Sequence, residues 1–446
     1  MKQALNLINF MKKFSSISFI FFIFLNIFIL ATTFYKSEIV HLGLNRDHYI
    51  NYYIFSFSFI IVIVCIQIFN NKIKNNIYLI LFSCLTSIVI FETCLEFKID
   101  KIWKRDNTNF ENNPYEYISN QKSKNSYIPR ILPGSLLPNG LANSIFPASS
   151  ISSKNTVMCK ENSGMITYFS DRFGFNNEDN VWENNNSAIL TGDSFVHGDC
   201  VKRNNNISGN LEKLNNSKKF INLGMGGNGP LLKLLSLREF GFLNKTNNVL
   251  WFYFEGNDFI ELEFEKSSKI LNSYLNDKNF TQNLHLKTAV VDKEFLKIHQ
   301  NNIIKQKFLH NLKRKIKNIL FLKNIRNLFN SLNLMKASYP FDIIKYNKII
   351  QMAQNLTKLN NANFYFIYLP AFERFTKKNR NHDFFLNKKI LIDKVRENGV
   401  FVIDISNLVF ERNSDPLQFF PNRQNGHYNE KGYMAISQKL NEIIEF

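Results

Sequence analysis

The stretch Ala188-Ile189-Leu190-Thr191-Gly192-Asp193-Ser194-Phe195-Val196-His197-Gly198 decides how this chain is read. A short apolar run ending in Gly-Asp-Ser, with a second glycine soon after, sets a serine hydroxyl at the exit of a buried strand. In an open α/β sheet that is where ligands and chemistry collect. Three further blocks follow in order: Asn222-Leu223-Gly224-Met225-Gly226-Gly227, then Gly256-Asn257-Asp258, then Gly426-His427-Tyr428-Asn429. A single Gly-Asp-Ser is a weak signal. Four polar or glycine-rich blocks, most of them behind an apolar run, are a much stronger one.

Outward from Ser194, apolar runs recur at Ala188–Leu190, Phe220–Leu223, Val249–Phe254, Phe364–Leu369 and Phe401–Ile405. They are short and do not alternate, which suits strands buried on both faces of a parallel sheet. Helical stretches fall between them, at Leu231–Phe240, Tyr346–Leu359 and Lys388–Glu397. This alternation predicts a three-layer α/β/α domain with a parallel sheet over residues 166–446. Residues 106–165, with Pro114, Pro129, Pro133, Pro138 and Pro147, read as an extended lead-in and not as core. Residues 270–345 interrupt the alternation. There Ile304, Phe308, Leu312, Ile316 and Leu320 recur every four residues among lysines, and no Asp or Glu occurs from Asn301 to Pro340. That pattern is a basic amphipathic helix, suited to anionic lipid, to capping a site, or simply to packing on the core.

Residues 1–105 read as a membrane anchor. Phe14–Tyr35 is an uncharged run of 22 residues, Tyr49–Asn71 one of 23, and Asn75–Phe91 one of 17. Each approaches the length needed to cross a hydrocarbon core of about 30 Å. The first is too long for a secretory signal, and two more follow it. Helices are therefore expected at about 14–35, 49–71 and 75–95. Lysine and arginine counts in the flanks do not fix orientation, but Lys12 and Lys13 abut the first span and favour a cytoplasmic N-terminus. Three spans would then place everything after about residue 100 outside the cytoplasm.

The formal net charge is +19 over 446 residues. Such an excess attracts anionic partners, yet lysine is spread widely along the chain. No zinc-finger spacing, recognition helix or aromatic-basic motif points to nucleic acid. Cys65, Cys84 and Cys94 lie in apolar segments and read as packing residues; no cysteine-histidine cluster suggests a metal. Cys159 and Cys200 lie in the polar part. An exported domain permits them to pair; the alternative is two separate thiols.

With these blocks in hand, the chain resembles the SGNH/GDSL hydrolase superfamily from about Tyr168 to Phe446. The strings Ser170–Asn177, Asn222–Pro230 and Trp251–Asp258 are similar to a bacterial membrane-anchored subgroup. The resemblance implies a serine esterase or O-acyltransferase that forms a Ser-linked acyl-enzyme and needs no metal or organic cofactor. Ser194 would be the nucleophile and His427 its base. The Ser194 N–H, the Gly227 N–H and the Asn257 amide would form the oxyanion hole. The substrate would be an acyl ester on a cell-envelope glycan or lipid. Two positions depart from the family pattern: Glu255 stands where a glycine is usual, and Gln424 where the acid that orients the histidine is usual. Either a backbone carbonyl holds the tautomer instead, or Asp415 reaches in from the same loop. The missing acid also leaves open a non-catalytic scaffold or glycan-binding module. His197, one turn beyond Ser194, is expected at the surface or facing substrate, and Asp193 is expected to brace the turn.

Overall fold

The structure, a computed structural model, describes residues 2–40, 46–102, 118, 127–142, 145–159, 164–183, 185–216, 218–305, 309–331, 340–376, 385 and 387–446. The chain divides into two compact units, one of residues 1–107 with 306–338, the other of residues 108–305 with 339–446.

In the first unit three long helices run Lys2–Phe34, Arg46–Cys65 and Asn71–Ile102. They contain candidate spans Lys13–Ile39, Tyr49–Ile68 and Asn71–Phe97, with mean hydropathy 2.4, 2.1 and 2.0. The third helix starts earlier than the uncharged run because Asn70 caps it, its Oδ1 accepting from the Ile73 N–H at 3.0 Å. Phe22, Ile63, Ile66 and Tyr78 pack at the centre of this unit. Phe24, Ile61 and Ile80 face outward and are more than 60% exposed, an arrangement suited to lipid. Cys65, Cys84 and Cys94 are exposed on the same helices, not packed inside.

The basic stretch is not one helix. It divides into Thr288–Lys305, which belongs to the second unit, and Leu309–Leu320 and Lys323–Ser331, which belong to the first. Leu322, at φ +48°, turns the chain between the last two. Phe308 of the expected stripe lies outside the described residues.

In the second unit the strands are β1 (Tyr127–Pro129), β2 (Asn155–Cys159), β3 (Ile166–Phe169), β4 (Asn186–Thr191), β5 (Phe220–Asn222), β6 (Thr246–Phe254), β7 (Asn363–Leu369) and β8 (Phe401–Asp404). The last five form one all-parallel sheet in the order β5-β4-β6-β7-β8. Strand direction sends alternate side chains to opposite faces. Ile189, Val249, Trp251 and Phe366 pack on one face with Leu231, Leu235, Ile349 and Leu391 from helices. Ala188, Leu190, Leu250 and Ile367 pack on the other with Leu211, Tyr433, Ile436 and Leu440. Three layers result, and the sheet order is that of flavodoxin-like folds.

The lead-in is a correction to the sequence reading. Residues 127–142 and 145–159 are not a loose connector: β1 and β2 join β3 in a small mixed sheet. Ile128, Ile131, Leu141, Phe146 and Ile151 join the main core. The prolines break helical and strand periodicity, so isolated apolar residues reach the core without leaving a pattern.

Candidate active site

β4 ends at Thr191, and the chain turns through Gly192 into the short helix Ser194–His197. A Cβ on Gly192 would lie 2.2 Å from Val196 Cγ2, so the turn requires glycine. Asp193 caps the helix, its Oδ1 accepting from the Phe195 N–H at 2.9 Å. Ser194 opens that helix and keeps 9% of its surface exposed. β4 lies between β5 and β6, where the strand order reverses and a crevice opens beyond the strand ends.

The second block forms the adjoining wall. The Leu223 N–H reaches Leu190 O at 2.8 Å and the Met225 N–H reaches Gly192 O at 3.3 Å, so the turn runs beside the serine loop. A Cβ on Gly224 would sit 2.4 Å from the His197 amide nitrogen. Gly227 adopts φ +71°, a conformation that favours glycine.

The third block is more occupied than expected. Asn257 donates through Nδ2 to Asp193 Oδ2 at 3.1 Å and to Glu261 Oε1 at 3.0 Å. Both amide hydrogens of the candidate oxyanion donor thus rest on carboxylates. Behind them Lys233, fully buried, places Nζ 2.6 Å from Asp258 Oδ1 and 3.0 Å from Phe252 O. Burial raises the Asp193 carboxyl, moves Asp258 up to about 6 and pushes Glu261 well above the usual range, with Lys233 opposing each. Among the described residues, Asp193, Asp258 and Glu261 are grouped closely enough to hold a metal ion. The Lys233 ammonium already supplies positive charge there.

The fourth block is fixed by its neighbours. The Tyr428 hydroxyl donates to Pro370 O at 2.5 Å, and its ring stands 4.7 Å from that of Phe195. Asn429 caps the helix Glu430–Ile443, accepting from the Gly432 N–H at 3.0 Å. His427 is thereby held with its ring 4.9 Å from that of Phe195, the residue after Ser194. His427 and the residue after Ser194 are thus in ring contact.

A carboxylate also stands at His427, and it is not Asp415. Asp199 Oδ2 lies 4.0 Å from His427 Nε2. Asp415 instead forms an ion pair with Arg423. Asp199 is buried and holds two partners by three contacts: its Oδ2 accepts from Arg130 Nη2 at 2.6 Å, its Oδ1 meets Arg130 Nη1, and His197 Nδ1 is 2.9 Å away. Burial alone would raise this carboxyl. The Arg130 guanidinium and His197 override burial and hold it well below the usual range. Arg130 comes from the lead-in, directly after β1. The disulfide Cys159–Cys200, Cα atoms 5.2 Å apart, ties the end of β2 to the residue after Asp199.

His197 differs from expectation. It is fully buried, its ring edge-on to Tyr168 at 5.1 Å, and burial lowers its pKa. Gly198, at φ +81°, ends the helix and turns the chain back, which closes His197 behind the serine loop. The Ser170–Asn177 string forms a clamp beneath it. Asn176 Nδ2 donates to His197 O at 3.1 Å, and Asn177 bridges Asp171 and the Asn222 backbone. Asp171 accepts from Phe173 N, Phe175 N, Asn177 and Trp182, each at 2.9 Å.

Glu255 also has a structural account. It is buried and accepts from Arg374 Nε at 2.9 Å, from the Ala371 N–H at 2.7 Å and from the Tyr368 hydroxyl. The carboxylate in the usual glycine position therefore pins the loop after β7. Gln424 is exposed. A cleft of about 520 Å³ lies beside the loops after β7 and β8, lined by Arg374, Phe375, Phe385, Phe410 and Pro416 among others; among the described residues its lining includes neither Ser194 nor His427.

This chain is similar to solved G-D-S-L lipolytic proteins. A member of the lipolytic protein G-D-S-L family from Veillonella parvula matches with TM-score 0.32 and 12% identity, covering 58% of this chain and 97% of that one. An acetyl xylan esterase, AlAXEase, matches with TM-score 0.33 and 12% identity, covering 58% of this chain and all of that one. No known family profile matches the sequence, and no curated protein matches it.

Proposed function

We propose that the chain is a membrane-anchored serine hydrolase acting on ester bonds, as an esterase or O-acyltransferase. What supports this reading is that His427 packs on Phe195, the residue after Ser194, with the buried Asp199 4.0 Å from its Nε2, on the sheet whose strand order reverses at β4. His427 takes the Ser194 hydroxyl proton as Oγ attacks the ester carbonyl. The oxyanion is held by the Ser194 and Gly227 N–H groups, and by Asn257 once one amide hydrogen leaves Asp193 or Glu261. The imidazolium returns its proton to the departing alcohol, leaving an acyl-serine. Water, or the hydroxyl of a glycan or lipid, completes the cycle. Asp199, 4.0 Å from Nε2 and beyond hydrogen-bond length, would orient the imidazole in place of the acid missing at Gln424 once the ring closes on it, and Arg130 keeps that carboxylate ionised. One ring nitrogen faces Asp199; the proton shuttle uses the other.

Three apolar spans and a disulfide suit a catalytic unit on the outer side of a bacterial cytoplasmic membrane, close to envelope glycans and lipids. The competing reading, a non-catalytic binding module, draws on the occupied Asn257 amide. Ester hydrolysis by the purified full chain in detergent tests the proposal. Activity lost in both Ser194→Ala and His427→Ala supports it. Equal activity in wild type and Ser194→Ala refutes it.

A further inference from the structure

The helices Leu309–Leu320 and Lys323–Ser331 dock on the C-terminal end of the third apolar helix. Glu92, buried, accepts from the Asn324 and Ile325 N–H groups at 2.8 Å each. Glu96 accepts from Asn318 Nδ2 at 3.1 Å and from Asn324 Nδ2 at 2.7 Å. Lys36 Nζ sits 4.5 Å from the Phe321 ring centre, and Lys315 Nζ 5.0 Å from that of Phe97. The helix pair thus lies where the first span ends and the third span ends, on one side of the bilayer.

Two features of this pair suit an anionic lipid surface. The first is a group of cations. Lys317 and Arg326 stand within electrostatic reach of Lys36. Glu92 and Glu96 give their oxygens to amides and Glu38 pairs with Arg46, so among the described residues none of these carboxylates forms an ion pair with Lys36, Lys317 or Arg326. Arg326 Nε is buried and has no hydrogen-bond acceptor among the described residues. The second is exposed apolar surface, with Ile316, Leu320 and Leu328 at 49%, 67% and 42%. A cleft at the same end of the spans, lined by Phe34, Ile50, Tyr53 and Phe57 and by the Glu38–Arg46 ion pair, offers room for an acyl chain along its apolar side chains. An anionic bilayer surface answers both features, taking apolar side chains at the acyl boundary and cations at the phosphates.

We propose that this helix pair is a docking surface for anionic phospholipid headgroups, with Lys36, Lys317 and Arg326 as the phosphate-binding cations and Ile316, Leu320 and Leu328 set into the interface. The inference is independent of the ester chemistry. Native mass spectrometry of the full chain in detergent, titrated with phosphatidylglycerol or with phosphatidylcholine, tests it. Phosphatidylglycerol is expected to bind more tightly. Lys317→Gln with Arg326→Gln is expected to lower that affinity about 25-fold, roughly fivefold per charge, and to leave phosphatidylcholine unchanged. The charge-keeping pair Lys317→Arg with Arg326→Lys is expected to retain it, as is Lys72→Gln with Lys74→Gln at the opposite end of the third span. Equal binding of the two lipids, undiminished phosphatidylglycerol affinity in the neutralised pair, or displacement of the lipid by inorganic phosphate would overturn the proposal.

Discussion

Asp199→Asn separates the two roles given to this carboxylate. Asp199 and Arg130 are 5% and 9% exposed at the side chain, and one of their contacts is 2.6 Å. Asparagine keeps the shape and removes the charge. Arg130 then remains buried without its counterion, and breaking one side of such a pair costs about 3–5 kcal/mol. Urea unfolding of the chain should show a loss of that size, and Arg130→Met on the Asp199→Asn background should recover part of it. The rate is expected to fall further than the loss of folded protein explains. An imidazole without its orienting acid adopts the wrong tautomer, at a cost of up to about 10⁴ in turnover. The assay is kcat/KM for a p-nitrophenyl ester, at a temperature where the variant is folded by circular dichroism. Asp415→Asn is the control: its exposed pair with Arg423 should be worth under about 1 kcal/mol. Folded Asp199→Asn with more than half of wild-type kcat/KM would refute the role given to Asp199. So would an Asp415→Asn variant that loses as much as Asp199→Asn.

Other outcomes follow from the same geometry. Replacing Cys159 and Cys200 by serine opens a loop of 41 residues and should cost roughly 4 kcal/mol by loop entropy, read from the urea midpoint. Burial pushes Asp171 up to about 6 from its usual 3.8 despite four hydrogen-bond donors, so the native state binds this proton more tightly than the unfolded chain. Its contribution to stability is therefore greatest below pH 4 and falls by about 3 kcal/mol between pH 4 and 6. That part of the slope should vanish in Asp171→Asn, and an unchanged slope would refute the assignment. Gly224→Ala forces a Cβ to within 2.4 Å of the His197 nitrogen. It should cost about 1–3 kcal/mol and, by displacing Ser194, about 10² in kcat.

The sheet was readable because its five apolar runs need no partner to be recognised: Val249–Phe254 is apolar enough to be buried on both faces wherever it lies. The four blocks were readable for a related reason, since glycine and asparagine mark sharp turns locally. Arg130 and Asp199 carried no such mark. They are 69 positions apart, and only the fold of the lead-in brings them together. The cue that existed was indirect: Asp199 precedes a cysteine suspected of pairing with another at the lead-in's end. His197 departs from the sequence expectation because helical geometry alone points it sideways, whereas Gly198 ends the helix and folds it inward. The division of the basic segment between two units was hidden for the opposite reason. Its four-residue periodicity runs through the break without interruption.

Labelling of the full chain with a fluorophosphonate, mapped by peptide mass spectrometry, tests the central claim most directly, because only a serine activated by a base reacts. The account predicts one labelled site, Ser194, with labelling abolished in His427→Ala and strongly slowed in Asp199→Asn. Folded wild-type protein that takes up no label at Ser194, or that labels equally well without His427, would contradict it.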